Sequence, residues 1–105
     1  AMQAGKHIKK TVLELGGSDA YLILEDADLD MAAEVCAFSR LLNAGQSCIG
    51  AKRFIPVDAI YDEFLERFRA RMAEAHMGDP FDRTADIGPL ARTDLRSELH
   101  QQVQK

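Results

Sequence analysis

The chain has 105 residues, 47% of them apolar and 29% charged, with a formal net charge of −4 and an isoelectric point near 5.3. That length is at most one small domain with a modest core, and the acidic balance excludes the clustered basic face of a nucleic-acid-binding domain. The apolar runs are far too short to span a membrane, and no signal peptide is expected, because Ala1-Met2-Gln3-Ala4-Gly5-Lys6 lacks an apolar core.

Residues 1–10 are polar and basic at their end, with Lys6, His7, Lys9 and Lys10, and are expected to be a frayed, solvated terminus. Thr11-Val12-Leu13-Glu14-Leu15 has the alternation of a short strand, and Gly16-Gly17 ends it and bares the backbone. Ala20-Tyr21-Leu22-Ile23-Leu24 is a continuous apolar run that suits a strand buried on both faces of a parallel sheet. The acids of Glu25-Asp26-Ala27-Asp28-Leu29-Asp30 favour a helix N-terminus, with Asp26 or Asp28 as N-cap. The helix that follows, about Leu29 to Leu42, is apolar nearly all round, so it is expected to be buried, or covered by another domain or chain.

Asn43-Ala44-Gly45 reads as the end of that helix, since Asn and Gly tolerate the left-handed conformation. Cys48 stands on the bend beyond it, between Gly45 and Gly50, where a thiol is presented rather than packed away. Most free cysteines are small buried hydrophobes, so this stretch alone leaves Cys48 open between nucleophile and filler. Cys36 and Cys48 do not make a disulfide framework and are expected to be reduced thiols in a cytoplasmic compartment. His7, His76 and His100 are scattered, so no metal site is expected.

Lys52-Arg53-Phe54-Ile55-Pro56-Val57 is a further strand, and Asp58 is placed to cap a helix from about Ala59 to His76. That helix carries Ile60, Tyr61, Phe64, Leu65, Phe68 and Met72 at helical spacing, with a charged opposite face and pairs such as Glu63 with Arg67. Gly78 is read as its C-cap, with Pro80 beyond it. Leu95, Leu99 and Val103 mark a last, narrow-striped helix from about Arg92 to Gln104. Alternating strands and helices with short connections give an α/β chain. Three strands and three helices, one of them apolar all round, read as a piece of a larger sheet rather than a closed fold.

Three landmarks together resemble the aldehyde dehydrogenase family: Leu13-Glu14-Leu15-Gly16-Gly17, Glu25-Asp26-Ala27-Asp28-Leu29-Asp30, and Asn43-Ala44-Gly45-Gln46-Ser47-Cys48. Tyr61-Asp62-Glu63-Phe64, Gly78-Asp79-Pro80 and Ile87-Gly88-Pro89-Leu90 extend the likeness over essentially the whole chain, in the order and spacing of that family. Gly5-Lys6-His7-Ile8-Lys9-Lys10 and Gly17-Ser18-Asp19 bring it nearest to the succinate-semialdehyde dehydrogenase branch.

The resemblance implies NAD- or NADP-dependent oxidation of an aldehyde to a carboxylate. It implies Cys48 as nucleophile, Glu14 as general base, the Cys48 N–H as an oxyanion donor, and Leu15 and Gly16 beside the nicotinamide. The residue types suit that chemistry: a thiolate attacks the carbonyl, a carboxylate activates the water that hydrolyses the thioester, and apolar neighbours make a carboxylate a stronger base. The resemblance further implies an incomplete three-layer α/β/α catalytic domain with parallel strands. Residues 1–17 would be the tail of the cofactor-binding domain, including the strand that carries the base, and residues 18–105 the N-terminal half of the catalytic domain.

An aldehyde substrate and a homo-oligomeric assembly are expected, with no nucleic-acid or membrane partner. Family members carry a Gly-rich dinucleotide turn, an oxyanion asparagine and a ribose-binding glutamate in segments outside this stretch. Gly16-Gly17 is no substitute for that turn, so the isolated chain is expected to be inactive with NAD(P). Gly50 occupies the position where some relatives place a second, redox-regulatory cysteine, so that switch is expected to be absent. The competing reading is a non-enzymatic interaction or folding unit with a vestigial site; a thiol redox protein lacks a nearby resolving cysteine.

Overall fold

The computed structural model describes all 105 residues. Its centre is a β-α-β unit: β1 (Ala20–Ile23), α2 (Leu29–Leu41) and β2 (Arg53–Pro56). The two strands pair in parallel with Ala20 opposite Arg53 and Ile23 opposite Pro56. The ladder is prolonged at both ends, where Arg53 N–H donates to Asp19 O at 3.1 Å and Val57 N–H to Ile23 O at 3.0 Å. A single-turn helix α1 (Met2–Lys6) precedes this unit; α3 (Tyr61–Glu74) and α4 (Thr93–Val103) follow it. No helix is long and apolar enough to cross a membrane.

Asp28 is the N-cap of α2, its carboxylate accepting the Met31 N–H at 3.1 Å. This satisfies one of the helix's orphan donors. One face of α2 is buried through Ala33, Cys36 and Ala37, whose small side chains let α3 and the sheet come close. Phe64, 2% exposed, fills the space between them and meets Ile23 and Cys36 in the core. Phe54 from β2 extends that core by packing on Phe68, with ring centroids 4.6 Å apart. At the rim, Arg67 of α3 pairs with Asp30 of α2 and with Glu63 on its own helix. These groups are exposed, so solvent screening leaves the pairs little weight in stability.

Several expectations are corrected. Residues 11–15 form no strand: they carry no regular structure and are exposed throughout. The alternating pattern is present, but no neighbouring strand offers a ladder, and a lone strand leaves its backbone groups to water. Met2–Lys6 forms a helical turn where a frayed terminus is expected, although its surface is solvated. β1 is covered on one face only: Ile23 is buried, whereas Leu22 stands in solvent.

Asp58 begins a 3₁₀ turn, Asp58–Ile60, and its side chain caps nothing. Helix α3 stops at Glu74 because Ala75 turns to an extended conformation, so Gly78 is not its cap. Gly78 instead donates its N–H to Ile87 O at 3.0 Å and closes the loop between α3 and α4.

The outer face of α2 is bare, with Met31 62% and Phe38 69% exposed. Only 7 of 105 residues are buried. The radius of gyration is 17.6 Å, against about 13 Å for a compact domain of this length. The apolar surface that the sequence provides is therefore more than this chain can enclose.

Phe64→Ala removes the ring that joins α3 to the sheet. It is expected to cost about 3–5 kcal/mol, read as loss of the cooperative urea transition followed by far-UV circular dichroism.

Candidate active site

The sequence from Asn43 to Lys52 folds into a loop fastened at several points. Helix α2 ends in a 3₁₀ turn, Leu42–Gly45, in which Asn43, Ala44 and Gly45 have φ of 53°, 54° and 77°. Asn and Gly accept this left-handed conformation readily, but at Ala44 it costs about 1–2 kcal/mol. Strain of that kind persists where the surroundings over-determine the backbone.

The surroundings here are side chains of α2 and β1. Arg40 reaches across the loop, donating from Nη2 to Gly45 O and from Nη1 to Ala51 O at 2.8 Å. A Cβ at Gly45 would lie 2.9 Å from Arg40 Nη2, so the bridge needs glycine there. Ser39 Oγ accepts the Ala51 N–H at 3.1 Å and shares a hydrogen bond with the Tyr21 hydroxyl at 3.0 Å. Gly50 is buried, and a Cβ on it would meet Ser39 O at 3.1 Å and Ser47 O at 3.3 Å.

Cys48 stands at the exposed crest of this loop. Its Sγ donates to Glu14 Oε2 at 3.8 Å, a contact between residues far apart in the chain. The backbone beside Glu14 follows the same surface: Gly17 comes so close that a Cβ on it would lie 3.5 Å from Cys48 O. The irregular segment carrying Glu14 is thus held against the cysteine loop without a strand.

Leu15 and Gly16 both lie open. Leu15 is 72% exposed, and a Cβ on Gly16 would meet nothing within 4 Å. They offer an open apolar and backbone surface next to Glu14. They offer no cradle for a pyrophosphate. Glu14 itself is exposed, so the apolar enclosure expected around its carboxylate is not built by these residues.

Cys36 is the filler cysteine: it is buried in the core, and desolvation raises its thiol above the ordinary range. No group of three or more His, Cys, Asp or Glu side chains is arranged to hold a metal ion.

Three functional side chains escaped the reading of the sequence: Ser39, Arg40 and Lys52. Lys52 Nζ donates to the carbonyls of Ser47, Cys48 and Gly50 at 3.1, 3.1 and 3.2 Å. The available signal was a cation four residues beyond a cysteine on a glycine-flanked bend, since such a bend exposes carbonyls that want a donor.

The sequence model described as the Aldehyde dehydrogenase family matches residues 1–105. The succinate semialdehyde dehydrogenase [NAD(P)+] Sad of Escherichia coli strain K12 is 52% identical over 103 residues, covering 98% of this chain and 22% of that protein. The NADP(+) succinate-semialdehyde dehydrogenase of Mycobacterium leprae is 53% identical over 100 residues, covering 95% of this chain and 22% of that protein. Among solved structures, the succinic semialdehyde dehydrogenase of Streptococcus pyogenes in complex with NADP+ superposes with a TM-score of 0.87 at 45% identity. That match covers 98% of this chain and 23% of the other. The chain therefore spans a little over a fifth of the length of these relatives.

Iodoacetamide is expected to alkylate Cys48 at least about tenfold faster than Cys36 at neutral pH, because one thiol is exposed and the other buried and harder to ionise. Peptide mapping by mass spectrometry after timed quenching checks it.

Proposed function

Because the chain belongs to the aldehyde dehydrogenase family along residues 1–105, we propose that it carries the nucleophile and the base of an aldehyde-oxidising centre, Cys48 and Glu14. One observation carries the reading: Cys48 Sγ and Glu14 Oε2 lie 3.8 Å apart, although the residues come from separate segments. In this reading residues 1–17 are the tail of a cofactor-binding domain and residues 18–105 the first half of a catalytic domain.

The chemistry follows from the two groups. Glu14 accepts the thiol proton, and the Cys48 sulfur forms a bond to the aldehyde carbon, leaving an oxyanion. The Cys48 N–H is the chain's donor to that oxyanion. Leu15 and Gly16 would lie beside the nicotinamide of NAD or NADP, which would supply the acceptor for the hydride lost as the thioester forms on Cys48. Glu14 releases the thiol proton to solvent, then takes a proton from the water that attacks the thioester, and passes it to the departing sulfur as the carboxylic acid leaves, which restores the thiol.

The names of the relatives favour succinate semialdehyde as the aldehyde. The homo-oligomer and the cytoplasmic setting are parts of this proposal. On its own the chain lacks a pyrophosphate cradle beside Leu15 and Gly16, so it is expected to give no NADH or NADPH with aldehyde.

The bare apolar face of α2 favours a second reading, an interaction or folding unit that docks on other polypeptide. Light scattering tests that face: concentration-dependent association and binding of an apolar dye are expected, and a dye-free monomer counts against the second reading.

For the leading reading, p-nitrophenyl acetate is used to load an acetyl thioester on Cys48. Its hydrolysis is expected to slow by about 100-fold or more in Glu14→Gln, followed by intact mass. Equal hydrolysis rates in the two proteins would remove Glu14 from the role of base.

A further inference from the structure

The ammonium of Lys52 has three N–H donors and no acceptor. All three are engaged by the carbonyls of Ser47, Cys48 and Gly50, at 3.1–3.2 Å. A group so saturated has no proton to exchange with a substrate. Its effect is on the backbone: it draws three carbonyls of one short loop toward a single point.

The consequence follows from peptide geometry. The peptides of this chain are all trans, and in a planar trans peptide the carbonyl of one residue and the N–H of the next point in opposite directions. Turning the Ser47 carbonyl to Lys52 therefore turns the Cys48 N–H away from it, and turning the Cys48 carbonyl does the same for Ile49. The Gly50 carbonyl provides a check within the structure. It too faces Lys52, and the Ala51 N–H points the other way, into Ser39 Oγ at 3.1 Å. The Cys48 N–H, by contrast, has no backbone acceptor in the chain. It is an oriented, unspent donor on the same residue as the nucleophilic sulfur.

We infer that Lys52 is a positioning residue that aims the Cys48 N–H at the oxyanion, by holding the Ser47, Cys48 and Gly50 carbonyls on the opposite side of the loop. The ammonium also places a positive charge behind those peptides, so their dipoles are aligned before reaction. Arg40 closes the ends of the loop at Gly45 and Ala51, and Lys52 sets the orientation of the peptides within it. This assignment rests on the proposed role of Cys48 as nucleophile.

The test compares two reactions at Cys48. Alkylation by iodoacetamide displaces iodide from a saturated carbon and develops no oxyanion. Acylation by p-nitrophenyl acetate does: the sulfur–carbon bond forms, the ester carbon–oxygen bond breaks, p-nitrophenolate leaves with the electron pair, and the thiol proton passes to solvent. In Lys52→Met the acylation rate is expected to fall about tenfold while alkylation stays within about twofold. Lys52→Arg is expected to restore part of the loss, since a guanidinium can reach several carbonyls.

Equal falls in both rates, or no fall in either, would overturn the assignment. If Lys52→Met fails to fold, seen as Cys36 reacting as fast as Cys48, the same ratio is read in Lys52→Gln with the same criteria. Wild-type Cys48 that acylates no faster than N-acetylcysteine, after each is normalised to its alkylation rate, would overturn the reading of Cys48 as an active-site nucleophile, and this assignment with it.

Discussion

The fastening of the Gly45–Lys52 loop is the constraint on which the rest of the molecule's chemistry depends. A thiol on a free loop would sample many directions, and each immobilised peptide would have to be ordered at the moment of reaction, at a cost of about 1–2 kcal/mol per residue. Here the ordering is done in advance. Arg40 ties the Gly45 and Ala51 carbonyls, Ser39 takes the Ala51 N–H, and Lys52 gathers three carbonyls between them. The left-handed run Asn43–Gly45 brings the chain abruptly off α2 and into this grip.

The β-α-β unit supplies the fixed points. Ser39 and Arg40 lie on the last turns of α2, and Lys52 immediately precedes β2, so packing α2 on the sheet sets the distance the loop must cross. Phe64, Cys36 and Ile23 hold that packing from the far side. The core is small, and the apolar surfaces of Leu22, Met31, Val35 and Phe38 face solvent. Such surface suits a segment of a larger fold, in keeping with a chain that spans about a fifth of the length of its relatives, 22% of the Escherichia coli protein. The cysteine loop is fastened mostly within residues 39–53, and it is tied to the rest of the chain by the Tyr21 hydroxyl on Ser39, by Asp19 O and Ser18 O, which accept from Lys52 and Arg53, and by the Ala91 N–H, which donates to Gln46 Oε1.

Glu14 reaches the site by a different route. It comes on an irregular segment without a ladder, guided by the close approach of Gly17 to the Cys48 carbonyl and by the Arg53 guanidinium, whose Nε donates to Ser18 O at 3.0 Å. The 3.8 Å contact with Sγ is longer than a bond between oxygens and nitrogens would be, as sulfur's size and weak donor strength require. Both partners are open to water, so a catalytic environment of low dielectric would have to come from surfaces outside this chain.

The sequence by itself determined the α/β character with parallel strands, an aspartate N-cap at position 26 or 28, the presentation of Cys48 on a glycine-flanked bend and the likeness to the aldehyde dehydrogenase family. These are read from neighbours a few residues apart, where periodicity and turn chemistry act, and from motifs in a fixed order. Other features depended on partners distant in the chain. Thr11–Leu15 has a strand's alternation, but a strand exists only through a neighbour's hydrogen bonds, and none is present. Only the tertiary structure decided that Glu14 meets Cys48, that Ser39 and Arg40 brace the loop and that Lys52 spends its donors on three carbonyls. The physical reason is that sequence patterns record which residues prefer burial or a turn, whereas a long, flexible cation declares its acceptors only when the backbone has brought them within reach.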